Sequence, residues 1–402
     1  MFRLAHPIPD PNPFLQPGAP RLKWPPAVAE NQPTNKHRMN NELTTFAARL
    51  RAAISHRHSV IDSRQFSTLA VELFALQFQF NPNYRKLCEA RHLTPQTIGH
   101  WTEIPHVPTS VFKELELSCI PPAEQTAVFH SSGTTEQKPS RHFHCPESLA
   151  LYEASLWHGF SPHFSPDHEL LFLTPDRAAA PRSSLVHMFE TVGQAGPCVN
   201  RGAFCGTLAA DGSWTVDFER VVPRLASAAC HHRPLTILGT AFSFVHLLDF
   251  LNQNCLRFDL PAGSQVMETG GYKNRSRILP KAELHTLITY RLGVHRRNIL
   301  CEYGMSELSS QAYASEVHPP SSILLPNVFH FPPWARVQII SPESGRAVPD
   351  GQTGLIRIFD LANAFSVAAI QTEDLGVRRG DGFELIGRAD LAEPRGCSLM
   401  SA

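Results

Sequence analysis

Four hydroxyl side chains and a glycine fall in five consecutive positions, Ser131-Ser132-Gly133-Thr134-Thr135, and Lys138 and Arg141 follow closely. Hydroxyl donors, open backbone N–H groups and nearby cations are what polyphosphate oxygens require. The paired glycines and Lys-Ser/Thr ending of a Walker loop are absent, so a phosphate grip here is of another kind. Glu268-Thr269-Gly270-Gly271-Tyr272-Lys273 comes after a short apolar run. A glycine pair there lets backbone approach a flat ligand closely. Tyr303-Gly304-Met305-Ser306-Glu307 follows another apolar run. The Tyr303 ring can stack on a purine, and a carboxylate four residues later can hold Mg²⁺ near phosphates. Within Gln371-Thr372-Glu373-Asp374-Leu375-Gly376, Asp374 can accept both ribose hydroxyls; within Gly387-Arg388-Ala389-Asp390, Arg388 can donate to ribose or phosphate. Taken singly, the first stretch also reads as a surface turn, the second as a tight turn and the last two as solvated loop charges.

The elements that must position these residues are legible in outline. Leu43, Phe46, Ala47 and Leu50, then Phe66, Leu69, Ala70, Leu73, Phe74 and Gln77, recur at helical spacing. Phe74, Phe78 and Phe80 read as core packing, not as a ligand box. Glu169–Thr174, Leu235–Gly239 and Asn298–Tyr303 read as buried strands. Alternating with helical stretches, they predict layered α/β structure around a mostly parallel sheet, whose strand C-terminal ends are where ligands bind. From Ala335 the texture turns to β, with 337–340, 354–359 and 383–386 separated by turn residues. Residues 39–334 are therefore expected to form an α/β core and 335–390 a small β-rich lobe completing the site. Nine prolines in residues 1–38 predict a disordered leader.

Composition narrows the function. The formal net charge is zero and no long basic block occurs, which argues against nucleic acid as a partner. Pro234–Leu251 is interrupted by His246 and Asp249, so it predicts a strand followed by a helix, and no transmembrane segment is expected. Nine cysteines without a CxxC pair argue against a disulfide framework and a zinc ribbon and favour a cytoplasmic protein. Cys230-His231-His232 has no further ligands at metal spacing.

In this order the five stretches resemble the adenylate-forming superfamily of acyl-CoA ligases, adenylation domains and luciferases, over about two-thirds of the chain from Ser131 to Asp390. The longer runs Glu268–Lys273, Glu302–Gln311 and Ile370–Gly376 look more narrowly like its acyl-protein synthetase (LuxE-type) branch. The resemblance implies the adenylate-forming N-terminal-domain fold, with ATP and Mg²⁺ as cofactors. It implies that Ser131, Ser132, Gly133, Thr134, Thr135 and Lys138 hold ATP phosphates. Gly270, Gly271 and Tyr303 would enclose adenine, Tyr272 and Gly304 would also belong to the nucleotide-binding set, and Ser306 would sit near the α-phosphate. Glu307 would bind the metal, Asp374 the ribose, and Arg388 the ribose or phosphate. Glu136 stands where the superfamily loop usually has glycine. The chain ends twelve residues after Asp390, where the superfamily continues into a mobile domain that carries a lysine; the narrower branch is likewise short.

Residues 391–402 are expected to form a mobile tail whose Cys397 takes the acyl group, as the branch's C-terminal segment implies. An acyl-adenylate is a mixed anhydride that a thiolate can open, and Arg395 would favour the thiolate. The nine residues from Arg388 to Cys397 span at most about 30 Å when extended. The other eight cysteines are expected to be buried packing residues. The implied reaction is ATP-dependent activation of a carboxylic acid, by resemblance a fatty acid, and transfer to a protein thiol. An acyl-CoA or fatty-acid reductase or a carrier protein is the implied partner. Two alternatives stay open: adenylation of an aromatic or secondary-metabolite acid, and a nucleotide-binding protein that has lost catalysis. Pro181–Met188 and Gly239–Leu248, with Phe242, Phe244 and His246, are the expected pocket walls.

Overall fold

The computed structural model describes residues 35–56, 61–131, 138–195, 202–210, 212–270, 279–315 and 327–388. Helix α1 (Asn35–Ser55) opens the described chain, so residues 35–38, expected to lie in the unpacked leader, are helical. The rest of that leader and the tail after Arg388 lie outside the described residues. Helices α2 (Ser63–Phe80) and α3 (Pro82–Glu89) follow. The Asp62 carboxylate accepts the Gln65 amide N–H at 2.8 Å, and the Gln65 side chain bonds back to the Asp62 N–H. This exchange satisfies donors that a helix start leaves open. Phe66, Ala70, Leu73, Phe74 and Gln77 form the buried stripe of α2. Phe74 packs edge-on against Phe78 and Tyr84, as core residues do.

Strand β1 (Val107–Pro108) and the single turn α4 (Val111–Glu114) lead to the hairpin β2 (Ala127–His130) and β3 (Arg141–His144), then α5 (Pro146–Phe160). Next come β4 (Glu169–Phe172), α6 (Ser184–Ala195), β5 (Gly202–Phe204) and a small hairpin, β6 (Gly206–Leu208) and β7 (Trp214–Val216). After these come α7 (Phe218–Cys230), β8 (Leu235–Thr240), α8 (Ala241–Gln253), β9 (Gln265–Thr269), α9 (Lys281–Leu292), β10 (Ile299–Tyr303) and β11 (Ala312–Ser315). The chain closes on β12 (Val328–Phe329), β13 (Ala335–Ile340), β14 (Thr353–Asp360), β15 (Ala369–Arg379) and β16 (Gly382–Arg388).

One six-stranded sheet runs β11-β10-β9-β8-β4-β5 and is parallel except at β11. Every residue of β8 is buried, which is why its sequence carries no charged residue and does not alternate with an exposed side. One face of this sheet packs Ile237 and Val266 against Phe244 of α8 and Ile288 of α9. The other packs Leu238 and Met267 against Leu156 of α5 and Met188 of α6. Phe244 and Met188, expected to wall one pocket, therefore sit on opposite faces.

The second sheet runs β12-β16-β15-β14-β13, with β1 pairing parallel to β15. The β-rich part thus begins at Val328, before the expected Ala335, and recruits two residues from the N-terminal third. It shares one core with the first helices: Leu43, Phe66 and Phe74 pack with Ile356, Ile358 and Ile370. Gln77 ties the two together, donating to Asn363 O at 2.8 Å and accepting the Ala368 N–H at 3.1 Å. Cys88, Cys119, Cys145, Cys205 and Cys301 are buried as expected, but Cys230 and Cys255 are exposed. Both exposed thiols sit at or just past helix ends, where the chain turns into solvent. No helix among the described residues is long and apolar enough to cross a membrane.

Candidate active site

Parallel register places the second and third stretches side by side: Thr269 at the end of β9 is opposite Glu302, one residue before Tyr303 at the end of β10. Gly270 then turns the chain out of the sheet at φ +67°, a conformation that favours glycine, and among the described residues nothing lies within 4 Å of where a Cβ would stand. The Tyr303 ring is 7 % exposed and meets Phe383 edge-on at 5.2 Å between centroids. Its hydroxyl donates to Asp374 Oδ2 at 2.8 Å. Asp374 lies opposite Arg388 in the β15–β16 register, and Arg388 Nε stands 3.8 Å from Asp374 Oδ1. Both residues, read singly as loop charges, are in strands. Burial raises the Asp374 pKa, against the Tyr303 hydrogen bond and the Arg388 charge. Burial, with the Asp374 charge behind it, pushes the Tyr303 phenol well above its ordinary value. Tyr303, Asp374 and Arg388 thus form one contiguous group of a phenol, a carboxylate and a guanidinium, chemistry that can hydrogen-bond hydroxyls or phosphate.

The first stretch reaches the same place. Ser131 and Ser140 close the base of the β2–β3 loop, Ser131 Oγ accepting the Ser140 N–H at 2.9 Å. Ser140 Oγ stands 3.4 Å from Ser306 Oγ, and His142 Nδ1–H donates to Ser306 O at 2.7 Å. Ser132, Gly133, Thr134 and Thr135, with Glu136, lie outside the described residues, as do Gly271, Tyr272 and Cys397. Lys138 is paired with Glu114 at 3.6 Å, with both side chains more than half exposed, so the pair itself adds little stability.

Ser306 and Glu307 are buried, and Ser306 Oγ donates to Glu307 Oε2 at 3.0 Å. A carboxylate and a hydroxyl at a strand end form the hard oxygen donor set that Mg²⁺ takes, so these two residues fit the metal. Sequence reasoning missed what holds them. Asp360, at the end of β14, accepts the Ser309 N–H at 2.9 Å and the Ser310 hydroxyl at 2.7 Å. Asn363 donates to Glu307 O at 2.7 Å. Burial raises the Asp360 pKa to about 6, against hydrogen bonds from Ser310, Ser309 and Ala362. The only sequence signal was an acidic residue ending an apolar run, Leu355-Ile356-Arg357-Ile358-Phe359-Asp360. Cys230-His231-His232 forms no ligand cluster: His231 Nδ1 is 2.9 Å from Ser227 O. Glu268, His285 and Cys301 do converge within 4.8 Å. Lys281 Nζ lies 3.8 Å from Glu268 Oε1, so the group already holds a cation. Burial pushes the Glu268 carboxyl up, but His285 and Lys281 outweigh it and leave it lowered.

His142 makes the site acid-sensitive. Burial lowers its pKa from 6.5 to about 4, opposed by the Ser306 carbonyl. A group whose folded pKa is depressed contributes stability above its unfolded pKa and loses it as pH falls toward the folded one. Each pH unit below 6.5 should cost about 1.4 kcal/mol for this residue. Between pH 7.5 and 5.0, urea unfolding of His142→Asn, which keeps a donor for Ser306 O, should show about 2 kcal/mol less loss than wild type. An unchanged loss would assign the acid sensitivity to other groups.

The comparisons with known proteins agree with this geometry. Residues 59–402 match the family described as acyl-protein synthetase, LuxE. The long-chain-fatty-acid–luciferin-component ligase of Aliivibrio fischeri is 25% identical over 349 residues, which cover 83% of this chain and 87% of the relative. Its counterpart from Vibrio harveyi is 22% identical over 354 residues, covering 85% and 88%. An open conformation of 2-hydroxyisobutyryl-CoA ligase in complex with 2-HIB-AMP and CoA superposes with a TM-score of 0.59 at 14% identity, over 82% of this chain and 70% of that one. At that identity the likeness speaks for the fold. With a family match over most of its length and this superposition, the chain belongs to the LuxE acyl-protein synthetase family and has the adenylate-forming fold.

Proposed function

We propose that this protein uses ATP to convert a fatty acid into an acyl-adenylate and passes the acyl group to the thiol of Cys397. The observation that supports the reading is the chain of contacts Ser140–Ser306–Glu307 close in sequence to Tyr303–Asp374–Arg388, whose hydroxyls, carboxylates and guanidinium suit phosphate and nucleoside groups. In the first step a carboxylate oxygen of the acid attacks the α-phosphorus of ATP. The bond to the bridging oxygen breaks and pyrophosphate leaves. In the second step the Cys397 thiolate attacks the acyl carbonyl, and AMP departs with the bonding pair. Mg²⁺, held by Glu307, would neutralise charge building up on the phosphates. Asp374 and Arg388 orient the ribose, and Ser306 and the 131–138 loop donate hydrogen bonds to phosphate oxygens as charge develops. The long-chain-fatty-acid ligases among the relatives favour an aliphatic acid over an aromatic one.

The test incubates the purified protein with Mg-ATP and radiolabelled acids, comparing tetradecanoate with benzoate, and reads acid-dependent AMP release. Release with tetradecanoate and none with benzoate is expected. The reverse preference would move the substrate to the aromatic class, and no release with either would leave a nucleotide-binding protein without this activity.

A further inference from the structure

The functional reading leaves one acid at the site unused. Glu302 immediately precedes Tyr303 on β10, and strand alternation turns it to the opposite face of the sheet. Tyr303 faces the Asp374 side. Glu302 lies opposite Thr269 of β9 and Tyr313 of β11, toward the apolar wall of Leu156, Met188 and Met267. With the nucleotide on the Tyr303 side, Glu302 stands on the other face of the same strand end, within reach of an acid that crosses the ends of β9 and β10.

Its surroundings are built but incompletely bonded. Thr269 Oγ1 donates to Glu302 Oε2. Oε1 lies against Gly304, where any side chain would collide with it, and Gln311 Cγ would approach the same added carbon at 3.3 Å. Gln311 Oε1 and the Tyr313 hydroxyl are buried without a hydrogen-bond partner, in residues 5 % and 3 % exposed. Unmet buried polar groups are costly, and these two belong to residues beside Glu302, Gln311 through the Gly304 contact and Tyr313 through the β10–β11 register, so the surroundings of Glu302 have room for a polar ligand atom.

We propose that Glu302, in its neutral form, donates a hydrogen bond to the carboxylate of the acid being activated, so that acid binding depends on a proton held by the protein. The inference rests on the adenylation reading and adds to it how the reacting end of the acid is held. A neutral carboxyl donates to an anion, whereas an ionised one repels it. The groups facing Glu302 favour the neutral form. Burial raises its pKa to about 7, against the Thr269 hydrogen bond, and Glu268 on β9 adds to the rise. Tyr313 of β11 and Tyr152 of α5 bring no positive charge; burial first, and then the Glu302 charge, pushes both phenols up, Tyr152 also through Glu153 and Asp360.

The test measures tetradecanoate-dependent exchange of pyrophosphate into ATP from pH 5.5 to 9 at saturating Mg-ATP, in wild type, Glu302→Gln and Glu302→Leu. Glutamine keeps a donor that does not titrate. The acid's KM in wild type should rise about tenfold per pH unit above about 7 relative to Glu302→Gln. Ionisation of the acid itself is common to both proteins, so the difference between them isolates Glu302. Glu302→Leu should raise the acid's KM at pH 6 by about 10- to 100-fold, with the KM for ATP unchanged. Binding of the fluorescent fatty acid cis-parinaric acid over the same pH range reads the same equilibrium without turnover. The same pH slope in Glu302→Gln and wild type, by binding or by KM, would overturn the inference. Glu302-dependent, pH-sensitive binding with no exchange in wild type would count against adenylation and leave the binding role standing.

Discussion

Replacement of Glu307 by alanine is expected to lower carboxylate-dependent pyrophosphate exchange by about 10²- to 10³-fold, the range seen when one preorganised stabilising group is removed from an active site. Glu307 is buried at the end of the Tyr303–Glu307 segment and is bonded by Ser306. Its backbone carbonyl accepts a hydrogen bond from Asn363. Glu307→Gln keeps the shape and can still accept the Ser306 hydroxyl, but removes the charge. If the charge holds Mg²⁺, the glutamine variant should lose nearly as much activity as alanine and require far more Mg²⁺ for what remains. Full activity in Glu307→Gln with unchanged Mg²⁺ dependence would reduce Glu307 to a packing residue.

The second large effect separates the two half-reactions. Cys397→Ser should abolish the protein-bound acyl label that neutral hydroxylamine releases, while exchange of pyrophosphate into ATP stays within about twofold of wild type. A serine hydroxyl is a far weaker nucleophile than a partly ionised thiol, and any oxygen ester it formed would resist that treatment. Label undiminished in the variant would assign the acyl-carrying role elsewhere. Among the described cysteines, the exposed Cys230 and Cys255 would then be the next to replace, since the buried thiols offer no approach. Burial also pushes Cys119, Cys205 and Cys88 upward, away from the thiolate.

The parts of this molecule legible in its sequence are those whose signal is local. Leu235–Gly239 reads as a buried strand because a strand covered on both faces has no polar side, and it is β8. Ser131, Gly270 and the Tyr303–Glu307 run were recognisable because their residue types are unusual together. What holds them was not legible, because each holder is a single polar residue whose partner is distant in sequence. Gln77 looks like one more position on a helical stripe, yet it grips the 363–368 loop nearly three hundred residues away. Asp360 and His142 are ordinary in their own segments and acquire meaning only where they meet Ser309 and Ser306. Asp374 and Arg388, fourteen positions apart, become neighbours through a hairpin register that a β-bulge at Leu375/Gly376 shifts. Composition carries no trace of that shift. Glu302 was hidden for a related reason: one carboxylate inside an apolar run looks like tolerated variation until its burial and its partner Thr269 are seen.

The central claim is spatial: the separated stretches form one cleft for an acyl-adenylate. A crystal structure of the full chain with a non-hydrolysable tetradecanoyl-sulfamoyl adenosine tests it most directly. Adenine is expected beside Tyr303 and Gly270, the ribose hydroxyls within hydrogen-bond distance of Asp374, the sulfamoyl group near Ser306, and the acyl chain leaving past Glu302. The ligand bound elsewhere, or bound with its ribose away from Asp374, would contradict it.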